Sequence, residues 1–156
     1  MSSMQRTDFG AMRCSIARTL DIAGEPWSPL ILRDVYVGIR RFDDIQRDLG
    51  ISRKVLTQRL DWLVDRNMLE RQQYSERPPR SEYVLTDKGL AFCDVLLVMT
   101  AWGDRWAVGP EGPPALHRHR ECGAITRVHL ACSECGEPIT AADVDVEAGP
   151  GLVDER

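Results

Sequence analysis

Hydrophobic positions in the middle of the chain recur with the spacing of two amphipathic helices. Phe42, Ile45 and Leu49 stand three and four residues apart, which predicts one face of a short helix. Gly50 follows where that helix must end in a left-handed residue, and Ser52 can cap the next helix. The second helix, predicted over residues 52–65, has an apolar stripe made of Leu56, Leu60, Leu63 and Val64. Two helices joined by such a turn predict a helix-turn-helix, whose second helix enters a DNA major groove.

Two segments with the composition of strands follow the second helix. They cover residues 69–74 and 81–85, and the stretch between them contains Pro78 and Pro79. Because proline excludes helix and cannot donate to a ladder, residues 75–80 are predicted to form an irregular exposed tip, called the wing here. Arg77 and Arg80 lie in this wing and can reach phosphates or a narrow minor groove.

The flanking segments predict three more helices. Residues 14–22 and 27–36 precede the motif, and a long helix begins after Thr86 and continues to Trp106. The long helix has more apolar surface than one face of a small domain can bury. Core packing is one explanation, and burial against a second copy of the chain, giving a homodimer, is the one we favour.

The side chains opposite the apolar stripe are the candidate DNA contacts. Gln58 can read adenine, Arg53 or Lys54 can read guanine or hold phosphate, and Ser52 and Thr57 suit phosphate at a helix start. The alternative is an ordinary solvated face, and Arg40 and Arg41 can pair with neighbouring carboxylates instead of phosphate. The complete predicted set is Arg40, Arg41, Ser52, Arg53, Lys54, Thr57, Gln58, Arg77 and Arg80.

A second constellation lies near the end of the chain. It reads H-x2-C-G followed by C-x2-C-G, with His119, Cys122, Cys132 and Cys135 as donors. Three thiolates and one imidazole suit a structural, tetrahedral Zn²⁺ held by two turns joined by a hairpin over residues 124–131. The alternatives are His117 in place of His119, free cysteines, or a Cys132–Cys135 disulfide.

Composition and charge narrow the classes of protein to which the chain can belong. The net charge is −4, yet residues 40–88 carry eleven Lys/Arg against nine Asp/Glu, so salt-sensitive binding by a local basic face is expected. No apolar run approaches the roughly 20 residues of a membrane span, and no signal peptide opens the chain, which predicts a cytoplasmic protein. The five cysteines then indicate reduced thiols, metal or redox chemistry. No catalytic motif stands at a telling spacing, so an enzyme is not expected.

The ordered motifs between residues 14 and 106 resemble the HxlR-type branch of the MarR-like winged-helix transcriptional regulators. The matching positions are Cys14, Gly24, Trp27, Arg41-Phe42, Gly50-Ile51-Ser52, Leu56-Thr57, Leu60, Arg71, Pro78 or Pro79, Tyr83, Leu85-Thr86, Gly89 and Trp102-Gly103. Glu25-Pro26 departs from the glycine and lysine that usually precede the tryptophan. The resemblance implies homodimers that bind palindromic promoter sites and usually repress transcription. In some relatives an N-terminal cysteine senses oxidants, so Cys14 is a possible redox residue, although a buried structural cysteine is the interpretation that we favour.

Together these observations predict a mainly α fold with a small β-hairpin wing, a winged helix-turn-helix domain followed by a short zinc-ribbon-like tail. The predicted divisions are a mobile arm (1–13), the DNA-binding and dimerisation domain (14–107), a linker (108–116) and the tail (117–156). The chain is expected to form a dimeric transcriptional repressor that binds a specific sequence in double-stranded DNA. The alternative is a redox- or metal-responsive sensor that uses Cys14 or the tail cysteines.

Overall fold

The computed structural model describes residues 9–152, so residues 1–8 of the predicted arm and the last four residues of the tail lie outside it. The described chain contains these elements: α1 (Ser15–Ala23), α2 (Trp27–Tyr36), α3 (Phe42–Leu49), α4 (Arg53–Asp65), β1 (Leu69–Glu76), β2 (Pro79–Leu85), α5 (Asp87–Trp106), β3 (His117–Arg118) and β4 (Ile125–Thr126). Short 3-10 turns cover Ala141–Asp143 and Pro150–Leu152. The chain divides into two compact units, with the boundary between Cys93 and Asp94. The predicted winged helix-turn-helix fold is confirmed.

The core of the first unit is built by α2, α3, α4 and the β1–β2 hairpin. Its centre consists of aliphatic side chains from all three helices, among them Ile31, Leu32, Ile45, Leu56 and Leu60, all fully buried. Truncating one such side chain to alanine costs about 2–5 kcal/mol, because the lost contacts leave a cavity. This packing fixes the direction in which the opposite face of α4 points.

The turn between α3 and α4 has the expected chemistry. Gly50 has φ 62° and ψ 22°, a left-handed conformation that a side chain would disfavour. The hydroxyl of Ser52 accepts a hydrogen bond from the backbone N–H of Val55 at 3.3 Å, which caps the start of α4. Ile51, between them, is buried and anchors the turn to the core.

The structure gives Glu25, which stands with Pro26 in place of the usual glycine and lysine, a role at the start of α2. The Glu25 carboxylate accepts the backbone N–H groups of Trp27 at 3.1 Å and Ser28 at 2.6 Å, so it caps the helix from two residues outside it. The same carboxylate lies 3.3 Å from Nε of Arg59 on α4. Glu25 therefore links the entry of α2 to the helix that faces solvent beside the wing.

The β1–β2 hairpin is longer than the sequence predicts. Glu76 pairs with Pro79, with a register shift between Gln73 and Ser75, so only Arg77 and Pro78 form the turn. The prediction that all of residues 75–80 are irregular is therefore wrong. Pro79 is tolerated because it is the first residue of its strand, where a missing donor costs little.

Helix α5 begins in close contact with the end of α4 and the start of β1. The Thr86 hydroxyl donates to the carbonyl of Asn67 at 2.7 Å and accepts the N–H of Gly89 at 3.0 Å. A Cβ at Gly89 would lie 2.0 Å from the carbonyl oxygen of Met68, so only glycine fits. Cys93 on the same helix is buried. None of the helices in residues 9–152 is long and apolar enough to cross a membrane.

The second unit contains the end of α5 and the tail. No residue from 94 to 151 is buried, although Val98, Trp102 and Leu130 line an apolar cleft of about 500 Å³. Strand β3 pairs with β4, and Ala131 pairs with Pro138. The predicted hairpin over residues 124–131 is therefore wrong: each strand pair encloses one Cys-containing turn rather than joining the two turns.

Candidate nucleic-acid interface

The exposed face of α4 carries all five of the recognition-helix residues predicted from the sequence. The side chains opposite the buried leucines are exposed, and they are Ser52, Arg53, Lys54, Thr57 and Gln58. The helical period produces this arrangement, because residues three or four apart share a face and the leucines occupy the other one. The face is polar, carries two cations, and begins at a helix N-terminus whose N–H groups attract anions.

Arg53 rests against the first turn of α3. Its guanidinium lies 4.7 Å from the ring centroid of Phe42 and 3.6 Å from a carboxylate oxygen of Asp43. Both ion-pair partners are largely exposed, at 73% and 78%, so the pair contributes little stability in water. Arg53 can therefore exchange this carboxylate for a phosphate at small cost.

The two hydroxyl groups of the face differ in what they can offer a ligand. Thr57 donates its proton to the carbonyl of Arg53 at 2.9 Å, which leaves its oxygen free only to accept. Ser52 accepts from a backbone N–H, and its own proton remains available to donate. Phosphate oxygens only accept, so this arrangement suits Ser52 to phosphate and Thr57 to a base amino group.

Arg40 and Arg41 connect the helix-turn-helix to the hairpin. The carbonyl of Arg40 accepts the backbone N–H of Tyr83 on β2 at 2.9 Å. The Arg41 guanidinium lies 4.8 Å from the ring centroid of Tyr74 on β1, in contrast to the carboxylate pairing considered from the sequence. Asp44 pairs instead with Arg47 at 3.0 Å.

A cleft of about 420 Å³ separates the start of α3 from the hairpin. Three cations line it, Arg41, Arg47 and Arg80, together with the carboxylates of Asp43 and Asp44. Sequence reasoning missed Arg47 and Tyr74 as members of this surface. The helical spacing of Arg47 marks it as exposed, but its closeness to the hairpin depends on tertiary packing.

The wing presents two cations that are not held in ion pairs within the described residues. Arg77 and Arg80 are exposed, and in the part of the chain that the structure describes neither forms an ion pair. Arg59, by contrast, is held by Glu25 rather than by the acids of its own helix, Asp61 and Asp65. A phosphate can therefore engage the wing arginines without breaking an ion pair of the described residues.

Cys14 stands at the N-cap of α1. Its backbone is extended, with φ −146° and ψ 121°, and its thiol is exposed and makes no capping hydrogen bond. The expectation that Cys14 is a buried structural cysteine is therefore wrong. Exposure is one of the two conditions for thiol reactivity.

The predicted metal donors of the tail lie in two pairs. His119 Nδ1 is 3.3 Å from Cys122 Sγ. Backbone N–H groups of Cys135 and Glu134 point at the sulfur of Cys132 and lower the pKa of that thiol. Across residues 9–152, no three His, Cys, Asp or Glu side chains converge closely enough to hold a metal ion.

Comparison with known proteins identifies relatives of the helix-turn-helix region and of the longer chain. The sequence profile described as HxlR-like helix-turn-helix matches residues 22–110. An uncharacterised HTH-type transcriptional regulator of Mycobacterium tuberculosis is 44% identical over 138 residues, which make up 88% of this chain and 87% of the relative. The crystal structure of PA1607, a proposed transcription factor, superposes with a TM-score of 0.81 at 31% identity, covering 92% of this chain and 100% of that one. The reduced form of the transcriptional regulator YodB from Bacillus subtilis superposes with a TM-score of 0.53 at 33% identity, covering 62% of this chain and 96% of that one.

Proposed function

The chain belongs to the HxlR-like helix-turn-helix family of transcriptional regulators, and on that basis we propose that it is a homodimeric repressor that reads a palindromic promoter site. The observation that carries the proposal is the exposed polar face of α4 beside a wing whose arginines have no acidic partner in the described residues. A recognition helix flanked by a cationic wing can engage base edges and backbone together.

The contacts divide by chemistry. Arg53, Lys54 and Gln58 face the major groove, where arginine or lysine suits guanine and glutamine suits adenine. Ser52 and the N–H groups at the start of α4 hold a phosphate, while Arg77 and Arg80 reach the backbone or the minor groove beside it. Phosphate contacts position the protein, and the contacts from α4 select the sequence.

The dimer is supported by apolar surface that one chain leaves uncovered. On α5, exposed side chains recur at positions that share one stripe, and they are Val95, Val98, Met99, Trp102 and Trp106. Trp102 and Trp106 are each 64% exposed, and on α1 Ile16 is 71% exposed. Large apolar patches of this kind mark association surfaces, and two copies related by a two-fold axis present two recognition helices to a palindrome.

The central experiment replaces both cations of the recognition helix. Duplexes selected by the unaltered protein from a random pool serve as probes, and binding of R53A/K54A is measured by fluorescence anisotropy. Each lost base contact costs about 1–3 kcal/mol, so the double variant loses most of its affinity for the selected sequence.

The matched control removes two exposed arginines of the tail, R120A/R127A, and keeps wild-type affinity. Circular dichroism and sedimentation confirm that both variants keep the fold and the oligomeric state. If R53A/K54A binds the selected duplex as tightly as the control, α4 is not the recognition helix.

A second candidate function is redox control, which is favoured by the exposed thiol of Cys14 at the start of α1. The similarity to YodB, solved in a reduced form, supports the same idea. The experiment compares DNA affinity before and after mild peroxide treatment in the unaltered protein, in C14S and in C132S. Control by Cys14 predicts a reversible loss of affinity in the unaltered protein and in C132S, with C14S unaffected. An equal response in C14S excludes Cys14 as the sensor.

A further inference from the structure

The first turn of the tail, residues 119–124, has a closed hydrogen-bond pattern, and we call it the first knuckle. The N–H of His119 donates to the carbonyl of Ala124 at 3.0 Å, and the N–H of Gly123 donates back to the carbonyl of His119 at 2.8 Å. Gly123 has φ 70°, and a Cβ there would meet nothing within 4 Å. Glycine is therefore required by the backbone conformation and not by crowding.

The second knuckle, residues 132–137, repeats this pattern with the same offsets. The N–H of Cys132 donates to the carbonyl of Glu137 at 2.8 Å, and the N–H of Gly136 donates back to the carbonyl of Cys132 at 2.9 Å. Gly136 has φ 75°, again with open space around it. The two knuckles lie within different strand pairs and still share one backbone geometry. In both, the first and fourth residues are His or Cys.

The first knuckle brings its two donors to the same side of the turn. His119 Nδ1 and Cys122 Sγ are 3.3 Å apart. Bonds of about 2.1 Å to nitrogen and 2.3 Å to sulfur give a tetrahedral edge of roughly 3.6 Å between such donors. The first pair therefore already has the spacing of two ligands on one ion. In the second knuckle the backbone N–H groups of Cys135 and Glu134 point at the sulfur of Cys132, an arrangement that stabilises a thiolate ligand.

The described tail has neither a hydrophobic core nor a disulfide to hold its shape. No residue from 107 to 151 is buried, and the tail cysteines Cys122, Cys132 and Cys135 form no disulfide in the described residues. A segment this small that lacks a core needs a disulfide, a metal or a partner to hold its shape. Only nine residues separate Cys122 from Cys132, so the entropy lost in bringing the two knuckles together is small.

We propose that His119, Cys122, Cys132 and Cys135 together bind one structural Zn²⁺ per chain, one donor pair from each knuckle. The described residues hold the donors as two separate pairs, and the ion draws them into one tetrahedral shell. Four protein ligands leave no open position for water, so the site is structural rather than catalytic. Binding energy at such a site becomes folding energy of the tail. His117 lies in β3, paired with Thr126, and is not needed as a ligand.

The first measurement is the metal content of the full-length protein after dialysis against metal-free buffer. Elemental analysis is expected to find close to one zinc per chain in the unaltered protein and in the control C14S, which removes an exposed cysteine outside the tail. The variants C122S and C132S, one from each knuckle, are expected to lose the metal. Replacement of zinc by Co²⁺ should produce the thiolate-to-cobalt charge-transfer absorption of a tetrahedral site.

A second measurement keeps the sequence unaltered, which covers the case of variants that fail to fold. The protein is treated with a strong chelator, digested briefly with trypsin and analysed by mass spectrometry. Cleavage after Arg118, Arg120 and Arg127 is expected to accelerate without metal and to slow again when zinc is returned. A metal-free protein whose tail resists trypsin equally with and without chelator overturns the proposal, as does full zinc content in both tail variants. Iron in place of zinc overturns the assignment of the ion.

Discussion

The wing provides the sharpest quantitative test of the proposed DNA complex. Replacing Arg77 and Arg80 by alanine removes two exposed cations from each chain and four from a dimer. Neither side chain forms an ion pair among residues 9–152, so the replacement leaves no carboxylate without its partner. We therefore expect the fold and its stability to remain unchanged.

The magnitude follows from counterion release. Each phosphate contact contributes about 0.9 to the slope of log affinity against log salt, so four lost contacts reduce the steepness by about 3.6. Between 50 and 200 mM salt, a fourfold change, wild-type affinity then falls about 150-fold further than that of the variant. The defect of R77A/R80A is largest at low salt and shrinks as salt rises.

The assay is fluorescence anisotropy on one selected duplex and one unrelated duplex over a salt series. The variant is expected to weaken binding to both duplexes by similar factors, because phosphate contacts carry no sequence information. The tail variant R120A/R127A removes the same number of charges and should keep the wild-type slope. A wing variant with an unchanged slope would remove the wing from the interface.

Three further predictions concern packing, assembly and pH. G89A should destabilise the fold by about 1–3 kcal/mol in urea unfolding, because its Cβ would lie 2.0 Å from a backbone carbonyl, whereas G103A on the same helix meets nothing and should not. W102E should convert the dimer to a monomer in sedimentation velocity, while V37E, at an equally exposed residue, should not. Burial raises the pKa of Asp34, so the folded chain keeps a proton that the unfolded chain loses above about pH 4. The free energy of unfolding should therefore fall as pH rises from about 4 through the raised pKa. In urea titrations D34N should abolish this dependence of stability on pH. Equal stability of the two glycine variants, a dimeric W102E or an unchanged slope in D34N would each contradict the reasoning.

The elements of the first unit could be predicted closely from the sequence because local signals agree with the tertiary structure. Gly50 and Ser52 mark the turn by backbone conformation and capping, which act within a few residues. The helical period places the candidate contacts of α4 on one face without knowledge of any partner. The fold of this region is therefore encoded at short range.

The partners of the charged side chains could not be predicted in the same way. Arg59 meets Glu25 of a different segment, and Arg41 stacks on Tyr74 of the hairpin, although acids stand closer to both along the chain. Packing of the helices decides which groups meet, and sequence distance does not. In the tail, too, the strand pairs form around each turn and not between them, since a pattern of apolar residues this short does not fix its partner.

In the proposed DNA complex, the contact between Arg53 and Asp43 makes binding at Arg53 a competition between a carboxylate and the DNA. In the free protein the guanidinium already has a carboxylate beside it, at 3.6 Å, and an aromatic ring beneath it. The binding free energy that a duplex gains at Arg53 is only the difference between its own attraction to the guanidinium and that of Asp43. Exchanging the carboxylate for a phosphate changes the free energy little because the exposed pair is weak, whereas a guanine edge in the right place adds two directed hydrogen bonds. In the proposed complex, Asp43 would therefore cancel part of the attraction of Arg53 for any backbone phosphate, so that the contact with guanine carries most of the selectivity at this position.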